Sequence, residues 1–124
     1  MEARAILRKC PLSPRKMRLV ADQIRGMEVT MATAVLSNNN RMLYSTYMLK
    51  LLKSATSNWM IKNENATPEN LIVKTVFVDE GVALKRLRTA PQGRAHRIKK
   101  RSNHVTIIVD QIENMEVQNN QTNA

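Results

Sequence analysis

The alternation of apolar and polar positions divides the chain in two: helical spacing before residue 63, and strand-like runs after residue 70. The clearest element opens at Ser13-Pro14, where serine is a good N-cap and proline at the first helical position loses nothing by lacking an N–H. Gly26 supplies the matching stop. Between them Met17, Val20, Ala21 and Ile24 recur at i, i+3, i+4 and i+7, which predicts a helix of about three turns with one apolar stripe turned inward. Thr30–Ser37 reads as a short second helix that exits through Asn38-Asn39-Asn40. From Arg41 to Asn63 the spacing of Tyr44, Met48, Leu51, Ala55 and Trp59 predicts a longer amphipathic helix, with Lys50, Lys53 and Ser57 off the stripe. At this spacing Trp59 and the methionines read as core packing rather than as the walls of a ligand pocket.

After a polar connection at Asn63–Asn70 the pattern changes. Leu71-Ile72-Val73-Lys74-Thr75-Val76-Phe77-Val78 is rich in β-branched residues and predicts a strand, as does Val105-Thr106-Ile107-Ile108-Val109. Residues 111–124 are rich in Asn and Gln with few large apolar side chains, and predict a disordered tail. The 124 residues, 43% of them hydrophobic, suit one modest core, so a single domain over residues 1–110 is expected.

Charge narrows the partners. Twenty Lys and Arg against ten Asp and Glu give a net charge of +10, and such a chain repels itself unless something anionic neutralises it. Lipid is disfavoured: no apolar run approaches twenty residues, and Arg4, Arg8 and Lys9 break up any signal-peptide pattern. A cytoplasmic protein without membrane insertion is expected. Cys10 is the one cysteine, unable to form an internal disulfide, and reads as a small hydrophobe.

The densest charge lies between the two predicted strands. From Gly81 to His104 eight residues are cationic and none is acidic, and the acid-free stretch continues to Val109. Ala90-Pro91-Gln92-Gly93 has proline second and glycine fourth, the signature of a type I turn, so the segment doubles back there. That reversal brings Val78 opposite Val105, pairs the apolar strands at the base, and leaves a cationic β-ribbon spanning about residues 79–104. With twelve or so residues a side, the ribbon reaches about 40 Å at a strand's rise per residue. An isolated two-stranded ribbon is marginal in water, so this one is expected to order inside a large folded polyanion. Lys and Arg hold phosphates without reading sequence and Arg also stacks on exposed bases, which suits folded RNA. The chain has four aromatic residues, too few for the base-stacking sheet of single-strand binders.

The first predicted helix adds Arg15, Lys16, Arg18 and Arg25. Cations in a first turn oppose the helix dipole, which makes sense if a phosphate sits there on free backbone N–H groups. Catalytic patterns are not found: Asp79 and Glu80 are neighbours that point to opposite faces of a strand, and His96 and His104 lie about 26 Å apart along one, too far for a shared metal. No phosphate loop, nucleophile elbow or paired-cysteine motif occurs. An enzyme is not expected, nor a cofactor or metal. Composition alone leaves open a free nucleic-acid-binding regulatory or nucleoid protein.

Several stretches together resemble the family of large-subunit ribosomal protein twenty-two in its bacterial form. They are Ser13-Pro14-Arg15-Lys16-Met17-Arg18-Leu19-Val20-Ala21-Asp22, Ile24-Arg25-Gly26, Ser54-Ala55 with Asn58, and Val78-Asp79-Glu80-Gly81. The arm contributes Leu84-Lys85-Arg86, Gly93-Arg94-Ala95, Arg97-Ile98 and Lys100-Arg101-Ser102-Asn103-His104-Val105. The resemblance implies an α+β fold, a three-stranded antiparallel sheet packed with three helices plus a long projecting β-hairpin. It implies a structural constituent of the large ribosomal subunit, bound to large-subunit ribosomal RNA beside neighbouring large-subunit proteins. On that likeness Arg8, Lys9, Arg15, Lys16, Arg18, Arg25, Lys85, Arg86, Arg88, Arg94, Arg97, Lys99, Lys100, Arg101 and His104 bind RNA. Thr89, Ala90, Pro91, Gln92, Gly93 and Arg94 form a tip at the wall of the nascent-peptide exit tunnel, near where macrolides bind. The sequence departs from the family at the tip, where Thr89-Ala90-Pro91-Gln92 replaces a common proline-arginine-alanine run, and at His96, where an acidic residue is usual.

Overall fold

The last strand in the chain is the middle strand of the sheet. In the computed structural model, which describes residues 2–63, 71–89 and 91–111, the elements run β1 (Ala3–Cys10), α1 (Pro14–Ile24), α2 (Val29–Ser37), α3 (Met42–Lys62), β2 (Leu71–Glu80), β3 (Leu84–Thr89), a 3₁₀ turn (Pro91–Gly93), β4 (Ala95–Lys100) and β5 (Asn103–Gln111). Strand β5 lies between β1 and β2, antiparallel to both. Such a position gives β5 a partner on each edge, and Val105, Thr106, Ile107 and Val109 are all buried, with Ile108 partly so, so the run reads as apolar without strict alternation.

The predicted helices are present. Met17, Val20, Ala21 and Ile24 are the buried stripe of α1, and Met48, Leu51, Ala55 and Trp59 that of α3, with Tyr44 partly buried against the same core. Helix α2 begins one residue earlier than predicted, at Val29. Trp59 is 1% exposed among Met17, Ile24, Leu36, Met48 and Leu52, and burying each large side chain of this group contributes about 1.5–3 kcal/mol. Ser13 occupies the N-cap position and its carbonyl accepts the first helical bond, from Met17 N–H at 3.1 Å. Its hydroxyl makes no capping bond. Gly26 ends α1 at φ +80° with open space around its α-carbon, so what this site demands is a left-handed backbone rather than room. Its N–H donates to Val73 O at 3.0 Å, and Val73 N–H returns a bond to Met27 O at 2.8 Å, fastening the helix exit to β2.

Strand β1 is not marked by a pattern of large apolar residues. Ala3 and Ala5 face the core while Ile6 is 44% exposed on the open side of the sheet, the reverse of what a strand signal requires. Small residues there let α3 lie close over β1. Both edges of the sheet are then covered by helix side chains. On β2, Arg18 donates from Nε and Nη2 to Val78 O (3.3 and 3.2 Å), and Arg25 from Nε and Nη2 to Val76 O (3.3 and 2.9 Å). On β1, Asn58 Nδ2 donates to Arg4 O (3.0 Å), and Lys62 Nζ donates to the carbonyl of Glu2 just before the strand (3.3 Å). Occupied edge carbonyls do not template pairing with another chain.

The arm emerges where the β2–β5 ladder stops, at the Glu80–Asn103 pair. Strands β3 and β4 pair only with each other, from Leu84–Lys100 to Thr89–Ala95. The chain reverses where expected, but not through a type I turn: Gln92 (φ 66°, ψ 29°) and Gly93 (φ 71°) are both left-handed, whereas a type I turn keeps its central residues at negative φ. Ala90, residues 64–70 and the tail from residue 112 lie outside the described residues. Gln111, read as the start of the tail, closes β5.

Candidate nucleic-acid interface

The pairing register sorts the arm's side chains onto two faces. Leu84, Arg86, Arg88, His96, Ile98 and Lys100 share one face, and Lys85, Leu87, Thr89, Ala95, Arg97 and Lys99 the other. Each face therefore carries three Lys or Arg, and every residue of β3 and β4 is exposed except the half-buried Ile98. Lys85 stands directly opposite Lys99, and like charges facing each other across a ladder destabilise it. A ribbon charged on both faces, with such a pair at its base, calls for anions on both sides at once. Arg94 sits in the reversal and Arg101 at the root, both exposed.

The root itself is tightly closed. Gly81 N–H donates to Ser102 O (2.9 Å) and the Ser102 hydroxyl to Val82 O (2.7 Å). A β-carbon on residue 81 would collide with Ser102 Oγ, so any larger residue here has to displace the hydroxyl that donates to Val82 O. Beside this joint lies a polar cavity of about 220 Å³ whose rim includes Lys85, Lys99, Arg101 and the carboxylate Glu80.

On the body, the structure divides the predicted RNA-binding residues into two groups. Arg15 and Lys16 are exposed in the first turn of α1, which contains no acidic residue and whose leading N–H groups have no helical acceptor. Arg8 and Lys9 are exposed on β1. Arg18 and Arg25, in contrast, are engaged on the β2 carbonyls, and Arg25 Nη1 also donates to Asp22 Oδ1 at 2.7 Å. Their guanidinium groups hold α1 against the sheet. His104 has a partner too: its Nδ1 accepts the Lys9 backbone N–H at 3.0 Å. His96, by contrast, is exposed, opposite Arg88. The sequence reading did not single out Ser102, whose contacts set the arm's exit; no local pattern marks a serine for that work.

Residues 5–110 match the family model of ribosomal protein L22p/L17e. The chain belongs to that family. Among curated L22p/L17e relatives, the large ribosomal subunit protein uL22 of Chlorobaculum tepidum is 53% identical over 116 residues, covering 92% of this chain and 97% of the relative. That of Chlorobium chlorochromatii is 52% identical with the same coverage. The uL22 of Porphyromonas gingivalis is 57% identical over 111 residues, covering 89% of this chain and 82% of the relative. The L22p/L17e match takes in the whole arm and stops at Asp110, one residue short of the end of β5. The α+β fold of the described residues, three helices with antiparallel strands, agrees with the resemblance seen in the sequence. As an L22p/L17e protein the chain is a ribosomal protein of the large subunit, a structural family. No described helix is long and apolar enough to cross a membrane, and no group of three or more described His, Cys, Asp or Glu is placed to hold a metal.

Proposed function

We propose that this chain is built into the large ribosomal subunit with its body, residues 1–110 acting as one domain, seated on ribosomal RNA and its arm threaded between RNA segments. The observation that carries this reading is the arm's charge on both faces. A cationic patch on one side suits a flat polyanionic surface, but a ribbon with three cations on each face and a like-charge pair at Lys85–Lys99 suits RNA on two sides. Phosphates held by Lys85, Arg86, Arg88, Arg94, Arg97, Lys99, Lys100 and Arg101 fix the position of the arm without reading sequence. Arg8, Lys9, Arg15 and Lys16 extend the contact onto the body, and His104 joins them through the arm's root. Arg18 and Arg25 serve it indirectly, by fixing α1 to β2.

In this reading the tip residues Thr89, Ala90, Pro91, Gln92, Gly93 and Arg94 lie at the wall of the nascent-peptide tunnel, among neighbouring large-subunit proteins. Pro91 and the left-handed pair Gln92–Gly93 make a stiff end suited to such a wall. No chemistry is assigned to Asp79, Glu80, His96 or His104, and single substitutions of these residues leave subunit assembly intact. The test is sedimentation: the protein remains with large subunits through a high-salt wash, and a density map of the particle traces the arm within RNA. Recovery only in the free soluble fraction would refute the reading and favour a free nucleic-acid-binding regulator.

A further inference from the structure

On the other side of the arm's root from the polar cavity lies a larger one of about 520 Å³, within the size range of small-molecule sites. Its floor is apolar, made by Pro11, Val82 and Leu84, and its rim is cationic, with Lys9, Lys100 and Arg101. Val82 is 79% exposed and Leu84 52%, so neither is core, and both lie beside the most basic stretch of the chain. Strand β1 also distorts at this cavity. Its register slips between Leu7 and Cys10, and Lys9 takes φ 56°, a left-handed backbone that side-chain-bearing residues adopt only under constraint. The bond from Lys9 N–H to His104 Nδ1 holds that geometry and places the imidazole proton on Nε2. Bulges commonly re-aim a side chain, and the result here is a third cation on the rim.

We propose that this cavity receives one nucleobase swung out of the stack of a folded RNA. The ring lies against Pro11, Val82 and Leu84 while its flanking phosphates rest on Lys9, Lys100 and Arg101. The proposal rests on the RNA-binding reading above and adds a site to it. Charge complementarity decides the occupant. An apolar side chain from a neighbouring protein would fill the floor but leave three cations uncompensated, whereas a nucleotide supplies an apolar ring and anionic neighbours together. A base within a duplex cannot enter, so the target is an unpaired loop or bulge position. Ser102 and His104 complete the lining; the Ser102 hydroxyl already donates to Val82 O and His104 Nδ1 already accepts from Lys9 N–H, so the apolar floor supplies most of the contact with the ring.

The experiment probes deproteinised large-subunit ribosomal RNA with base-specific reagents, alone and with the full chain carrying Val82→Trp, Leu87→Trp or neither. Val82→Trp fills the cavity, and Leu87→Trp is a control, since Leu87 is equally exposed on the opposite face of the arm. With the unaltered chain one unpaired base changes reactivity. Val82→Trp returns that base to its free pattern and weakens binding about fivefold, the low end for one base lost from its platform, while the other protections persist. Leu87→Trp leaves that base as in the parent. A Val82-insensitive footprint, or one abolished equally by both variants, overturns the cavity proposal alone, leaving RNA binding intact. Loss of a neighbouring protein from Val82→Trp particles with every base protection intact assigns the cavity to a peptide and overturns it likewise. No protection by the unaltered chain at any concentration overturns the RNA-binding reading, and this proposal falls with it.

Discussion

Deleting residues 84–100 and joining Ala83 to Arg101 removes β3, the reversal and β4 in one step. Among the described residues, all twenty-one buried hydrophobics lie outside that segment, so their burial is kept. The connection across the Glu80–Asn103 pair shortens from 22 residues to five, an ordinary length for a hairpin. Treated as a flexible loop, the shortening stabilises the body by roughly 1.3 kcal/mol; the existing order of the arm reduces that figure. The cut also removes seven cations and no acid, taking the net charge from +10 to +3 and relieving self-repulsion. Against these stands the β3–β4 ladder, itself of marginal stability. The expected outcome is a body that unfolds cooperatively in urea, within about 1 kcal/mol of the parent and with a nearly unchanged m-value. Destabilisation by more than about 3 kcal/mol, or loss of the cooperative transition, would refute the separation of arm and core. Binding to ribosomal RNA falls steeply in the same variant, with a shallower dependence on salt.

Three further outcomes follow from particular contacts. Replacing both Arg18 and Arg25 with Ala bares Val76 O and Val78 O on the β2 edge; unfolding shows a loss of roughly 1–2 kcal/mol, allowing for the exposure of both side chains, and sedimentation shows self-association through the freed edge. Ala5→Leu forces bulk between β1 and α3 and costs about 1–3 kcal/mol in a urea melt. Burial pushes the Cys10 thiol above its ordinary range, partly offset by hydrogen bonds from the Leu12 backbone and the Asn103 side chain. Folding is then favoured while the thiol is protonated: this contribution is complete below about pH 8.5, the ordinary thiol value, and is lost as pH rises through the higher folded value. Cys10→Ala accordingly flattens the alkaline limb of stability, and mass spectrometry finds Cys10 alkylated quickly only after denaturation.

The helices were legible because one face of each packs on a single core, so the period of their apolar residues survives in the sequence. Strands β2 and β5 were legible for a different reason, their β-branched content. Strand β1 was not legible from pattern, since the first two of its inward residues are alanines, Leu7 is only partly buried, and Ile6 faces out. The arm's charge and reversal were readable, but not the left-handed Gln92, for which glutamine gives no signal. Among the predicted contacts, composition does not tell an arginine that meets solvent from one that covers a sheet edge. Arg15 and Arg18 differ only in which turn of α1 bears them and what lies within reach. Lys9 shows the same limit, because a left-handed lysine is imposed by its neighbours rather than by local preference.

The place of β5 in the sheet also fixes an order of events during synthesis. Strands β1 and β2 both precede the arm in the chain, yet neither pairs with the other; both pair with β5, which follows the arm. Until residue 103 has been added, the emerging chain holds two strands without their shared partner, and the core has no floor. The body therefore closes only after the whole arm exists. A product cut short anywhere before β5 lacks a folded body to present whatever arm it carries, so premature termination yields material for degradation rather than an armless or half-armed competitor for the assembly site.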